Sequence, residues 1–326
     1  MVADVAWNTI VSPVVLSFVL GLLAALARSN MSIPEDFAKG IAIYLMMAIG
    51  LKGGFEMARS GLSVDVASVM GVGVVLSFGL PVLAFCLLRA TTDLGRVDAA
   101  AAAAHYGSIS IVTFIAATQA LEWADLAISG HLVAVAALME APAIVTALLL
   151  AGRAGAQEDV AGGRPGELIR EVTLNASVVV LVGSLLIGWA TGERGQAQVE
   201  RFFLTPLQGV LCLFLLDMGL AAGRGLRQGR RQLRLPTLAF GLYMPLVGAA
   251  VAAVPCSLLA LDAGDAALLM TLAASASYIA VPAAMRLALP EARPSIYLTL
   301  SLGVTFPFNL TVGIPLYVSL AGWMAG

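Results

Sequence analysis

Ten long apolar runs, bounded by charges or turn residues, divide this 326-residue chain. Each run is about 18 residues or longer, which lets a helix cross the hydrocarbon core of a bilayer. Only 12% of the residues are charged, whereas a soluble surface normally needs about 25%. The pattern therefore predicts an all-α integral membrane protein. Its ten predicted transmembrane helices cover residues 10–27, 34–51, 66–88, 97–120, 127–151, 172–190, 202–222, 235–259, 266–289 and 295–322.

The basic residues are distributed unequally between the predicted loops. With the N-terminus outside, the inner loops hold 14 of the 18 lysines and arginines, and the outer loops hold four. Positive charges remain preferentially on the cytoplasmic side, so both termini are predicted to lie outside and residues 152–170 and 223–235 inside. Asp4 precedes the first run and Arg28 follows it. This order favours a transmembrane helix over a cleaved signal peptide.

The chain is predicted to contain two repeats and a linker. Residues 1–151 form the first repeat with helices 1–5, 152–170 form a cytosolic linker, and 171–326 form the second repeat with helices 6–10. An odd number of helices in each half requires the repeats to be inverted. The residues that recur are Asn8, Ser17 and Gly21 with Asn175, Ser184 and Gly188 at an offset of 167, Gly40, Gly50 and Gly54 with Gly209, Gly219 and Gly223 at 169, and Pro142 with Pro307 at 165.

A Ser-x-Ser motif interrupts the fourth and ninth runs at corresponding positions, in residues 105–113 and 273–282. Pro282 cannot donate a helical hydrogen bond, and serine hydroxyls can satisfy freed backbone groups. Both helices are therefore predicted to break at mid-membrane, where two half-helix N-termini with free N–H groups suit a small anion. Alternatively, these small residues only allow close packing, as we expect for Gly50-x-x-x-Gly54 and Gly219-x-x-x-Gly223. The predicted anion contacts are Gly107, Ser108, Ile109, Ser110, Ala276, Ser277 and Tyr278.

Two ionisable side chains, His105 and Glu140, lie at the middle depth of their predicted spans, and Asp217 lies toward the inner end of the seventh. Glu140 is the strongest candidate for binding a cation, because a charge at the bilayer centre costs at least about 2.5 kcal/mol and normally faces a partner or water. The alternative is a protonated acid that hydrogen-bonds to another helix. For Asp217 the alternative is a cap or an ion pair with Arg224, and for His105 it is a structural hydrogen bond.

Other kinds of chemistry have no motif in this sequence. Gly71-x-Gly73 lies inside an apolar run, and there is no Walker, HExxH or GxSxG sequence. The three cysteines, at 86, 212 and 256, are isolated in apolar runs without metal-ligand spacing. A net charge of -2 gives no basic face for nucleic acid. We therefore expect neither an enzyme, nor an organic cofactor, nor a nucleic-acid partner.

Five motifs together resemble a known family. They are His105–Ser110, Met139–Pro142, Leu216–Leu220, Ser275–Pro282 and Thr305–Asn309. They resemble the SbtA-type sodium-dependent bicarbonate transporter family, known best from cyanobacteria. The resemblance implies sodium-coupled bicarbonate uptake, ten helices in inverted repeats, an elevator-like movement, a homotrimer in the bacterial inner membrane, and a cytosolic PII-like regulator. Arg293 departs from the family pattern, which suggests Asn there, and the central loop is shorter.

The resemblance implies that the transported cation is sodium. Sodium is expected beside the anion, held by Glu140, Asn309, Ser275 and Ser110, with His105 and Asp217 as further candidates. The two charges then favour each other's binding at mid-membrane. The predicted function is secondary active uptake of bicarbonate coupled to sodium by alternating access. The alternatives are sodium-coupled transport of another small carboxylate or oxyanion, and a membrane enzyme that uses Glu140 and His105 as acid and base.

Overall fold

The computed structural model describes residues 11–61, 63–151, 176–229, 234–278, 281–282, 284–285 and 289–325. All regular secondary structure within these residues is helical, as the apolar runs predict. The predicted linker, 152–170, lies outside the described residues, as do Asn8 and Asn175. The helices are α1 (Pro13–Leu26), α2 (Glu35–Ser60), α3 (Val64–Thr91), α4 (Arg96–His105), α5 (Ile111–Trp123), α6 (His131–Leu138), α7 (Glu140–Ala151), α8 (Ala176–Phe203), α9 (Leu207–Gly229), α10 (Leu235–Leu258), α11 (Ala263–Ala274) and α12 (Pro294–Ala325).

Six helical segments in this part of the chain are long and apolar enough to cross a membrane: α2, α3, α6 with α7, α9, α10 and α12. The shorter apolar helices are α1, α5 and α11. Residues 106–110 separate α4 from α5, and α11 ends at Ala274. Both predicted interruptions are therefore present as helix ends. A further interruption at Met139, between α6 and α7, was not predicted.

Glycines allow two pairs of helices to pack with their backbones in contact. α1 packs along α9, and α2 packs along α8. A Cβ added to Gly219 would lie 2.1 Å from Phe18 O, and one added to Gly54 would lie 2.2 Å from Leu185 O. Neither position has space for a side chain. The predicted packing role of the glycine pairs is confirmed.

The same contacts correct the alignment of the two halves. Gly54 approaches Leu185, and Gly219 approaches Phe18. The two approached residues are 167 positions apart, whereas the two glycines are 165 apart. In packing, Gly219 therefore corresponds to Gly54, and its predicted match with Gly50 at an offset of 169 was wrong by one helical turn. A glycine pattern with a spacing of four residues fits both registers, because positions i and i+4 lie on one helix face.

We expect Gly219→Ala to destabilise the protein by about 1–3 kcal/mol, the usual cost of overpacking a tight contact. Its methyl group would force α1 and α9 apart. Gly209→Ala is the matched control in the same helix, because no atom lies within 4 Å of a Cβ there. The midpoint of thermal unfolding in detergent should fall for Gly219→Ala and should not fall for Gly209→Ala. Equal midpoints for the two variants would contradict the packing role.

The connection between the sixth and seventh predicted spans is a helix rather than the expected loop. α8 continues to Phe203 but is kinked at Gly192, whose φ of 53° and ψ of -144° suit glycine. After the kink, Gln196 accepts a hydrogen bond from Arg59 at 2.8 Å, and the Phe202 carbonyl accepts one from Tyr44. Tyr44 precedes Arg59 by about four turns of α2. The segment after Gly192 therefore runs back along α2.

The remaining helices surround the interruptions. α3 packs against α4, α6 and α7, while α10 packs against α11 and α12 and also meets α3. The alanines of α4, residues 99–104, are completely buried, and their small side chains allow close helix approach. α12 contains two π-helical stretches, Thr299–Thr305 and Asn309–Gly313. Such stretches are rare and are found frequently at functional sites.

Candidate functional site

The two Ser-x-Ser stretches lie against each other. The Ser277 N–H donates to His105 O at 2.8 Å, and the Ser110 N–H donates to Ser275 Oγ at 3.0 Å. The two segments therefore cross in opposite directions, with 105 opposite 277 and 110 opposite 275. All the predicted anion contacts are buried in this crossing: Gly107, Ser108, Ile109, Ser110, Ala276, Ser277 and Tyr278.

α5 begins at the crossing. Ser110 is its N-cap, and the Ser110 Oγ accepts a hydrogen bond from Thr113 N at 3.2 Å. The N–H groups of Ile111 and Val112 have no hydrogen-bond partner among the described residues. Free N–H groups at the positive end of a helix dipole favour an anion. The N-terminus predicted for the second half-helix cannot be compared, because residues 279–280 lie outside the described part of the chain.

Buried polar atoms without hydrogen-bond partners are found in and beside the crossing. An unpaired buried polar group costs about 1–3 kcal/mol, so such groups in one region indicate a place for a polar ligand. Thr113 was not predicted as a site residue, although its spacing of three from Ser110 places it on the same face of α5. Within the described residues, these atoms are His105 Nε2, Ser108 Oγ, Thr113 Oγ1, Glu140 Oε2 and the Tyr278 hydroxyl.

Asn309 supports the end of α11. Its Nδ2 donates to Ala274 O at 2.8 Å, which satisfies a carbonyl in the last turn of α11. Its Oδ1 accepts a hydrogen bond from the Tyr317 hydroxyl at 3.1 Å. Ser275, another predicted sodium ligand, donates through Oγ to Leu272 O at 2.8 Å. Two of the predicted sodium ligands therefore also hold the interruption in place, and sequence reasoning missed Tyr317.

Tyr106 connects the first interruption to the second half of the chain. Its hydroxyl lies 2.8 Å from Thr305 Oγ1, which itself donates to Gly241 O at 2.7 Å. A threonine hydroxyl has one hydrogen, so Tyr106 is the donor to Thr305. Tyr106 and Thr305 lie within the family motifs of the sequence but were not predicted as supporting residues.

His105 has a defined ring orientation. Its Nδ1 lies within hydrogen-bond distance of Ser277 O, and a carbonyl only accepts, so Nδ1 carries the proton. Nε2 has no hydrogen-bond partner among the described residues, and it is an acceptor in the tautomer that carries only the Nδ1 proton. The ring stacks on Tyr297 with centroids 4.8 Å apart. No described hydrogen bond joins His105 to Glu140.

α3 connects the region of Glu140 with the first interruption. Ser77 Oγ donates to Met139 O at 2.6 Å, and a Cβ on Gly107 would lie 2.8 Å from Ser77 O. One residue of α3 thus contacts both the residue before Glu140 and the first interruption. Asp217, by contrast, is half-buried in α9, and no described contact joins it to the interruptions.

Two aspartates make equivalent hydrogen bonds at the N-terminal ends of α4 and α11, the ends away from the crossing. Asp98 Oδ1 accepts from Arg293 N at 2.8 Å, and Asp265 Oδ1 accepts from Ser129 N at 2.8 Å. Each aspartate is the third residue of its helix, and the two are 167 residues apart. The offset of the Ser-x-Ser motifs could have identified this pair.

Arg293 also donates to Asp98 Oδ2 through Nη2 at 2.7 Å and Nε at 3.0 Å, which joins α4 to the start of α12.

Comparison with protein families agrees with this architecture. The family model described as the Na+-dependent bicarbonate transporter superfamily matches residues 13–322. No curated protein matches the chain. The match includes both interruptions, Glu140 and α12 up to residue 322. The chain therefore belongs to the Na+-dependent bicarbonate transporter superfamily.

Proposed function

We propose that the protein takes up bicarbonate together with sodium by alternating access, with the anion at the crossing of the two interruptions. The observation that carries this proposal is the free N-terminus of α5, where unpaired N–H groups lie beside the unpaired hydroxyls of Ser108 and Thr113. A bicarbonate ion presents three oxygens to such donors. The anion contacts are those predicted from the sequence, with Thr113 added.

Sodium is proposed to bind beside the anion, with Glu140 as its charged ligand. Glu140 Oε2 is buried without a partner, and the hydroxyls of Ser110 and Ser275 and the Asn309 amide oxygen supply neutral oxygens at the crossing. His105 Nε2 is a free acceptor but a nitrogen, and hard cations prefer oxygen. Asp217 lies in α9, so we place it outside the sodium site.

Coupling to sodium has an energetic reason. An anion that enters a cell at 100 mV, negative inside, works against about 2.3 kcal/mol. One accompanying sodium ion cancels that term, and the sodium gradient then drives accumulation. The mutual attraction of the two opposite charges in the low-dielectric interior also offsets part of the desolvation cost of burying them.

The packing supports an inverted repeat of five helices in each half. The contact of α1 with α9 repeats in the contact of α8 with α2, at offsets of 167 and 165 residues. The two anchoring aspartates and the two interruptions are also 167 residues apart. We propose that α1, α2, α8 and α9 form a stationary unit and that the other helices move against it in an elevator-like manner. We also propose a homotrimer in the bacterial inner membrane, which the resemblance to the family implies, with both termini periplasmic, as the distribution of basic residues predicts. A PII-like regulator would bind residues 152–170, outside the described part of the chain.

Uptake of labelled bicarbonate into proteoliposomes tests the function. An inward sodium gradient should cause accumulation of bicarbonate above the external concentration, and an equal potassium gradient should not. Competition by nitrate, sulfate and acetate distinguishes bicarbonate from another small carboxylate or oxyanion. Well-folded protein that never accumulates bicarbonate under a sodium gradient would refute the proposal.

A further inference from the structure

A cavity separates the two proposed units on one side of the crossing. Its volume is about 490 Å³, and it lies between α2, α5, the α5–α6 connection and the start of α9. Several polar side chains line it: Lys52, Glu56, Thr118, Gln119, Glu122, Ser129, Thr205 and Gln208. In a chain with 12% charged residues, such a concentration of polar groups between spanning helices indicates a water-filled space.

The cavity follows α5 toward the crossing. Its lining includes Phe114, Thr118 and Glu122, which are separated by one helical turn each. Phe114 is itself one turn from Ser110, the N-cap of α5 at the crossing. At 1.5 Å per residue, the inner end of the cavity lies roughly 6 Å along the helix axis from that N-cap. The cavity thus ends close to the proposed anion site without including it.

An ion pair bridges the cavity. Lys52 of α2 contacts Glu122 Oε1 of α5, and both side chains remain nearly half exposed. Gln119 Nε2 donates to the other carboxylate oxygen of Glu122 at 3.0 Å. Glu56, the other lining carboxylate, is paired with Arg59 at 2.8 Å. Among the described residues that line the cavity, Lys52 is the one basic residue. A half-exposed pair contributes little to stability, so each partner can exchange its neighbour for an ion in solution.

We propose that this cavity is the access vestibule for the transported ions, in which Lys52 meets the incoming anion and Glu122 meets the cation. This inference rests on the proposed function, because it assumes that both ions move to the crossing. The vestibule lies on the side that holds the connections 124–130 and 204–206, because its lining includes residues of both. The arginine distribution assigns this side to the outside of the cell. A cavity of about 490 Å³ admits both ions with their hydration water.

Charge-selective labelling of one cysteine tests the vestibule without requiring transport. Thr118→Cys is placed in a background with Cys86→Ala, Cys212→Ala and Cys256→Ala, and is modified from outside by an anionic and by a cationic methanethiosulfonate. Lys52→Gln should lower the anionic-to-cationic rate ratio, and Glu122→Gln should raise it. The labelling rate with each reagent should change by about threefold, which is the effect of one unit charge at a distance of roughly 7 Å in water. The two rates change in opposite directions, so their ratio should change by about tenfold. Lys39→Gln, on the exposed face of the same helix, should leave the ratio unchanged.

The two variants should shift the labelling ratio in opposite directions, which distinguishes a vestibule from an ion pair that only holds two helices together. If the ion pair only holds α2 to α5, both substitutions open the cavity and both ratios shift in the same direction or not at all. That outcome would overturn the proposal, as would labelling from the cytosolic side alone or no labelling from outside. In transport assays, Lys52→Gln should raise the KM for bicarbonate about threefold with kcat retained. Failure of transport in the parent protein would refute the proposed function but would leave the labelling result intact.

Discussion

Replacement of Glu140 by glutamine is expected to raise the sodium concentration that gives half-maximal bicarbonate uptake by roughly 10- to 100-fold. The substitution keeps the size of the side chain and one oxygen but removes the charge. An interaction with a charged group is worth about 1.5–3 kcal/mol, and each 1.4 kcal/mol changes an affinity about tenfold. Bicarbonate affinity at saturating sodium should change much less, because the proposed anion contacts do not include Glu140.

The burial of Glu140 makes this prediction specific. Only 5% of the residue is exposed, and its Oε2 has no hydrogen-bond partner within the described residues. A carboxylate that served only as a hydrogen-bonding group between helices would have its oxygens paired. If Glu140 had that structural role, glutamine would retain most of the function.

Isothermal titration with bicarbonate at several sodium concentrations measures the effect, and uptake assays confirm it. Asp217→Asn is the matched control, since Asp217 is a half-buried carboxylate in α9 away from the crossing. It should leave the sodium requirement unchanged. The sodium site is wrong if Glu140→Gln has the sodium dependence of the parent protein, or if Asp217→Asn shows the larger change.

Gly107→Ala is expected to abolish uptake. A Cβ at Gly107 would lie 2.2 Å from Pro81 Cγ and 2.8 Å from Ser77 O, so a methyl group must displace the first interruption from α3. Overpacking of this kind costs about 1–3 kcal/mol in stability. We expect a larger effect on transport, because a displacement of about 1 Å at a preorganised site is enough to lose function.

A second substitution separates this local clash from general unfolding. Pro81→Ala removes the ring atoms that the new methyl group meets, so Gly107→Ala with Pro81→Ala should recover part of the uptake. Gly79→Ala, in α3 with no atom within 4 Å of its Cβ, should transport normally. Both uptake and the midpoint of thermal unfolding should be measured for each variant. Full activity of Gly107→Ala would show that the first interruption does not have to hold this position.

The helix interruptions were predictable because their causes are local. Pro282 cannot donate a helical hydrogen bond, and the serine hydroxyls of both motifs can satisfy freed backbone groups. α4 and α11 end within residues 105–113 and 273–282. The all-helical membrane class followed from the length of the apolar runs, which depends on bilayer thickness alone. Family membership followed from motifs that are contiguous in the chain.

The register between helices was not predictable, because a repeat of four residues fits neighbouring turns equally well. The offset of 169 was wrong for this reason, and the contacts at Gly54 and Gly219 decided the register. The reversal of α8 after Gly192 also depends on contacts with α2, since one glycine permits a left-handed conformation without requiring it.

The sequence by itself determined which residues are placed at the crossing: the two serine motifs and their neighbours. Only the tertiary structure decided which of their polar atoms remain free. Asn309 and Ser275 are joined to backbone carbonyls of α11, whereas Glu140 Oε2 and Ser108 Oγ have no partner among the described residues. Lys52 and Glu122, 70 residues apart, meet only because α2 and α5 face one cavity. The physical reason is that each hydrogen bond requires its two atoms to lie within about 3 Å, which helix packing decides.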